Sequence, residues 1–207
     1  FKVSLVGRFA DWRTVLRFGI PAVIFAFAGA SMLGPLAVLK AEYAWSLGPF
    51  EGTTTPLRLL IGSLMLGFAL FELLPRFRQL QFDRRYLPLG GVFSGFFGGL
   101  SGHQGALRSA FLAKAGLTTE RFVGSNAVIG FLVDLTRIGV YLALFAAAGI
   151  GAESFTAWPL VITGALAAFC GVMLGKRYLH KVTMKSVQTL VGILLFGVGA
   201  ALLTGVI

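Results

Sequence analysis

Between Phe18 and Ile207 the chain returns repeatedly to apolar stretches of about 20 residues, the length an α-helix needs to cross the hydrocarbon core of a bilayer. Phe18 to Leu39, Tyr86 to Leu107, Ser154 to Gly175 and Ser186 to Ile207 contain no Asp, Glu, Lys or Arg. A soluble domain of 207 residues has no core large enough to bury all four. Two weaker stretches join them: Leu59 to Leu74, with Glu72 near its end, and Phe122 to Ala152, with Asp134 and Arg137 in its middle. The expected class is an all-α integral membrane protein, a polytopic helical bundle.

The 28 glycines agree with that class, because glycine lets membrane helices approach closely. A formal charge of +10 would suit a nucleic-acid binder, but the Lys and Arg residues fall in short clusters between apolar runs, where positive charge holds loops in the cytoplasm. The basicity is therefore read as topology, with the lipid bilayer and no nucleic acid as partner. The single cysteine, Cys170, excludes an intramolecular disulfide and is read as packing. No signal-peptide pattern opens the chain.

The loops sort by charge. Lys2, Arg8, Arg13 and Arg17 precede the first run; Arg76, Arg78, Arg84 and Arg85 follow the second; Lys176, Arg177, Lys181 and Lys185 lie between the last two. Arg108, Lys114 and Arg121 occupy 108 to 121. By contrast, residues 40 to 58 carry Lys40 and Arg58 against Glu42 and Glu51, and 151 to 154 carry only Glu153. Six crossings would divide the positive charge 8 against 9, at odds with the positive-inside rule. One segment is expected not to cross. Tyr86 to Ser101 and Gly105 to Leu117 are each short for a span, and Ser101-Gly102-His103-Gln104-Gly105 separates them. A re-entrant helical hairpin over 86–117 leaves Lys40 and Arg58 outside, Arg137 in the membrane and 15 of the 18 Lys and Arg inside. Non-helical backbone at membrane depth is tolerated only where it is buried in protein or lines a wet cavity, which makes the hairpin tip a functional location.

A weak internal repeat accompanies this layout. Met32-Leu33-Gly34 recurs as Met173-Leu174-Gly175, and the octapeptide 60–67 resembles 190–197. The charge pattern gives the matched segments opposite orientations, as in transporters built from inverted repeats. Residues 1–85 are then the C-terminal part of a first repeat, with spans at about 18–39 and 57–75. Residues 86–207 are the second repeat, with the hairpin at 86–117 and spans at about 122–150, 154–175 and 186–207. On this scheme the chain lacks an N-terminal hairpin and one helix of the first half.

The small-residue run from Gly90 to Gly105 is followed by a short apolar helix, by Gly116-Leu117-Thr118, by Val123-Gly124-Ser125-Asn126, and by the pair Gly171 and Gly175 before the last Gly-rich run. In these features the chain resembles the TauE/SafE sulfite exporter family of membrane permeases over about 12 to 207, best from 86 onward. His103-Gln104 stands where many members have a plainer glycine run. The resemblance implies a bacterial inner-membrane carrier of small anions, often sulfite, sulfonates, thiosulfate or organic acids, built from two related halves.

The residues themselves also favour an anion. A helix starting near Gly105 would present unpaired N–H groups and the positive end of its dipole at membrane depth. His103 and Gln104 add donors, Arg108 lies one turn on, and Gly102 and Gly105 let backbone approach a ligand. The plainer alternative is that the glycines only allow tight packing and His103 is a satisfied polar residue. Asp134 and Arg137, three apart, share a helix face and are expected to pair. They are either a structural pair, or Arg137 faces the anion while Asp134 neutralises it or carries a coupling proton. Asn126 and Ser125 on the same helix are further candidate donors. The candidate substrate-binding set is thus Gly102, His103, Gln104, Gly105, Arg108, Asn126 and Arg137, with Asp134 as coupling or charge-pair residue.

No nucleophile elbow, Walker loop, HExxH or paired cysteine is present, so neither an enzyme, a cofactor nor a metal is expected. The functional expectation is a small-anion permease. The alternatives are a non-transporting scaffold or accessory subunit and a carrier of a neutral metabolite; the latter would have Arg137 neutralised by Asp134 and Arg108 turned to the cytoplasmic surface.

Overall fold

The computed structural model describes residues 7–39, 41–47, 50–78, 80–147, 158–178 and 184–205. Glu153, Lys40, Lys181 and the ends of the expected spans at 148–157 and 206–207 lie outside them.

Helix α1 (Trp12–Ser31) starts six residues before the expected span, because Asp11 caps it: its carboxylate accepts from Thr14 N–H at 3.0 Å and from Thr14 Oγ1 at 2.6 Å. Arg13 and Arg17 are exposed on the first turns. The helix stops where Pro35, in the short α2 (Leu33–Val38), would clash with the carbonyl four residues back, that of Ser31. Residues 40–58, expected only as a loop, include a two-stranded antiparallel β-hairpin, β1 (Tyr43–Leu47) and β2 (Phe50–Thr54), with Trp45 opposite Gly52. The described residues are thus mostly helical, as expected, with this one small sheet added. The strands are rich in aromatic residues and Thr, which suit a pleated surface. Helix α3 (Pro56–Leu73) begins on the Thr55 cap with Pro56 at its start, and the short α4 (Pro75–Arg78) follows.

Helix α5 (Leu87–Ser101) ends at Gly102 in the left-handed region, φ 78°, and α6 (Gly105–Leu112) runs back. Helix α7 (Thr119–Ala147) carries Asp134 and Arg137; α8 (Trp158–Tyr178) and α9 (Met184–Thr204) complete the chain. Among the described residues three segments, Trp12–Leu36, Pro56–Leu73 and Thr119–Leu144, are long and apolar enough to cross a membrane. Ile162–Gly171 and Gln188–Thr204 are shorter apolar helices. Residues 162–171 of α8 are all exposed, Cys170 among them, so the packing role expected of that cysteine is not met within the described residues.

Two packed groups form. In the larger, α1 lies parallel to α5 with main chain close to main chain: a Cβ on Gly91, Gly95 or Gly99 would overlap the carbonyl oxygens of Phe18, Ala22 and Ala26 in turn. Phe18, Leu87, Leu112, Ile129 and Val133 fill the adjoining core between α1, the hairpin and α7. In the smaller, α3 and α9 run antiparallel, with Gly62 against Gly199 and Gly192 against Leu73, around Met65, Phe68, Ala69 and Leu195. Phe68 meets Phe97 of α5 edge to face at 5.7 Å, which joins the two groups beside the hairpin.

The loops gather at opposite ends. At one end Phe82 N–H donates to Ala110 C=O at 3.3 Å, the backbones of Asp83 and Lys114 pair in an isolated parallel β-bridge, and Asp11 N–H donates to Ser125 Oγ at 2.9 Å. Arg8, Arg13 and Arg121 line one cavity there. At the other end Trp45 Nε1 donates to Thr204 C=O at 3.1 Å and Thr54 Oγ1 to Leu202 C=O at 3.3 Å, so the β-hairpin caps carbonyls at the C-terminus of α9.

Candidate functional site

The break between α5 and α6 lies against one face of α7, on which Asn126, Gly130, Asp134, Arg137 and Tyr141 recur at helical spacing. The Arg137 guanidinium is seated on Gly102, where a Cβ would overlap its Nη1. Position 102 is therefore glycine for two reasons, a positive φ and the space taken by Arg137. Arg137 Nη2 donates to Asp134 Oδ1 at 3.3 Å, as the spacing led one to expect. Its guanidinium carbon also stands 5.9 Å from the Tyr141 ring centroid, within cation–π range.

Arg108, on α6, reaches across to α7. Its Nε donates to Asn126 Oδ1, and its guanidinium lies over Gly130, where a Cβ would come within 3.0 Å of Nη1. Asn126 thus meets the hairpin, whereas Ser125 is buried against the start of α1 and has no place at the tip. Arg108 interacts electrostatically with Asp134, and His103 with Arg137, so the four side chains form one cluster.

The His103 ring stacks near Phe68 with centroids 6.3 Å apart, and the His103 backbone N–H donates to Ser101 Oγ at 3.4 Å. Gln104 is turned inward: its side chain is buried against Gly98, with Oε1 3.5 Å from Ser94 Oγ. Gly105 is the opposite case, since a Cβ there would meet nothing within 4 Å. Open space thus adjoins the first turn of α6, whose N–H groups at 105–107 precede the helix's first internal acceptor–donor pair, Gln104 to Arg108.

Three polar atoms in this cluster are buried with no hydrogen-bond partner among the described residues: His103 Nδ1, Arg108 Nη1 and Arg137 Nε. A buried unpaired polar atom costs about 1–3 kcal/mol, more when charged, so three around one helix break is an expensive arrangement unless something else binds there.

Sequence reading did not single out Tyr141, Gly130 or Ser94. Tyr141 Oη donates to Gly99 C=O at 2.8 Å and so closes the end of α5. The available signal was spacing: Tyr141 lies four residues beyond Arg137 and Gly130 four before Asp134, on the same face.

A model of the sulfite exporter TauE/SafE family matches residues 4–202. The chain belongs to this family. The match takes in the hairpin, α7 and the α3–α9 pair, so the TauE/SafE assignment covers both packed groups and not the glycine run alone. TauE/SafE proteins are membrane transporters, in keeping with the apolar helices and the membrane class read from composition. No curated protein and no solved structure matches the chain.

Proposed function

We propose that the chain is a permease for a small anion, such as sulfite, another sulfur oxyanion or sulfonate, or an organic acid, held at the tip of the α5–α6 hairpin in a bacterial inner membrane. The observation that carries this reading is the set of three buried, unpartnered polar atoms on His103, Arg108 and Arg137 around one helix break. Two guanidinium groups, one imidazole and the open first turn of a helix set several donors against a single carboxylate, an arrangement complementary to an oxyanion. Gly102 and Gly105 leave the backbone accessible, Asn126 holds Arg108, Gln104 closes the hairpin beneath the tip, and Asp134 balances Arg137.

In this reading the hairpin is re-entrant. Residues 82–83 and 110–114 meet at the end that carries Arg8, Arg13 and Arg121. At 1.5 Å per residue, α5 reaches about 22 Å into a hydrocarbon core of about 30 Å, past the midplane but short of the far side. The antiparallel course of α3 and α9, which carry the matched octapeptides, supports an inverted repeat with its site between the halves. A neutral metabolite fits less well, because Arg108 turns inward to Asn126 on α7 rather than outward to the cytoplasmic surface.

Uptake of labelled sulfite, methanesulfonate and acetate into proteoliposomes tests the proposal. Arg108→Gln should abolish uptake of the accepted anion at matched protein levels. Wild-type uptake in both Arg108→Gln and Arg137→Gln would remove the anion site from the hairpin.

A further inference from the structure

The charges around the hairpin tip do not cancel, and on the reading of the site just given this fixes which anions fit. Arg137 pairs with Asp134 at 3.3 Å, whereas Arg108 hydrogen-bonds neutral Asn126 and packs over Gly130, with Asp134 the one carboxylate that acts on both arginines. With His103 neutral, Arg108, Arg137 and Asp134 leave the cluster one positive charge. The geometry points to Asp134 as the residue that sets the charge of the accepted anion at one unit, selecting a sulfonate or hydrogensulfite over a dianion of the same shape such as sulfate. A monoanion brings the cluster to neutrality. A dianion leaves an unbalanced negative charge beside partly buried donors, which is costly unless the charge is paired.

The inference is a rule about net charge, so it predicts a ladder rather than a single mutant phenotype. Asp134→Asn raises the cluster by one unit and should shift selectivity toward the dianion. Adding Arg137→Gln to it restores the native sum through Arg108 alone and should restore native selectivity, although two native side chains are then missing. Asn126→Asp leaves the Asp134–Arg137 pair intact and lowers the sum to zero, which should weaken both anions and the dianion more. One unit charge at close range with an effective dielectric of about 20 shifts affinity by a hundred-fold or more, but Asp134 is 49% exposed, and screening reduces the expected shift to about ten-fold.

The test is binding of methanesulfonate and of sulfate to the purified full chain at about pH 8, above the usual histidine range. Wild type should prefer methanesulfonate. The preference should fall about ten-fold in Asp134→Asn, return in the Asp134→Asn/Arg137→Gln double variant, and rise in Asn126→Asp. If Asp134→Asn does not fold, Asn126→Asp carries the test by itself, and an unchanged ratio there overturns the rule. Arg108→Gln separates the two levels of inference. Loss of both anions in Arg108→Gln together with an unchanged ratio in Asp134→Asn would refute charge selection and leave the site standing; undiminished binding of both anions in Arg108→Gln would refute the site itself.

Discussion

The two limbs of the hairpin pack in opposite ways. Helix α5 meets α1 backbone to backbone through Gly91, Gly95 and Gly99. Helix α6 meets α7 through Arg108, Asn126 and Gly130, and its donors are not all satisfied. Without a hydrophobic force between helices in lipid, close contact of small residues is what holds such pairs together. The α1–α5 seam thus fixes the hairpin in place, and the α6–α7 seam is left free to carry charge. The strain of unmet donors is tolerable on one limb because the other is locked.

The largest expected effect breaks the lock. Gly95→Leu places a side chain where Ala22 backbone already stands, and backbone cannot move aside as a flexible side chain can. Overpacking usually costs about 1–3 kcal/mol, and more when main chain must shift, so this variant should yield no monodisperse protein in detergent. Normal yield and melting temperature would show that the seam is looser than described.

Next comes the tip, where two glycines three residues apart should behave differently. Gly102→Ala must bear a left-handed backbone, worth about 1–2 kcal/mol, and must also displace Arg137; both stability and uptake should fall. Gly105→Ala enters open space and should melt within about 0.5 kcal/mol of wild type. Equal melting shifts in the two variants would contradict the geometry of the break.

Tyr141→Phe should be milder. It removes the hydrogen bond to Gly99 C=O and should cost about 1 kcal/mol, with a lower uptake rate because the end of α5 that seats Arg137 is less well fixed.

The smallest effect lies at the start of α1. Thr14, through its hydroxyl and then its N–H, holds the Asp11 carboxyl below its ordinary pKa, with Arg121 and Arg84 acting in the same direction against the opposing effect of burial. A depressed folded-state pKa contributes stability above the unfolded carboxylate value, about 3.9, and that contribution is lost as pH falls through the lowered value. Thermal melts between about pH 6 and pH 3 should therefore show a slightly shallower acid loss in Asp11→Asn than in wild type. An identical slope would mean that the cap adds nothing to acid stability.

The membrane class, the helix break at 102–104 and the pairing of Asp134 with Arg137 were legible because each rests on a local pattern: hydropathy, two glycines and an i,i+3 spacing. Gly91, Gly95 and Gly99 announced a close-packed helix but not its partner, since the partner's contribution is main chain and leaves no mark on the sequence of α1. The inward turn of Gln104 was likewise hidden, because it depends on the missing side chain of Gly98 and on Ser94 one turn before it. The β-hairpin lay in a segment judged by its charge alone; its role became readable only once α9 brought Leu202 and Thr204 carbonyls beside Thr54 and Trp45.

The central claim is that an anion binds in the open space at the start of α6. Gly105→Cys, made after Cys170→Ser has removed the native thiol, places a reporter there. Its rate of modification by a small thiol reagent should fall several-fold when methanesulfonate is added to proteoliposomes, and a cysteine placed on the exposed face of α8, at Phe169, should show no such protection. Equal modification of Gly105→Cys with and without the anion, in protein that still transports it, would contradict the account.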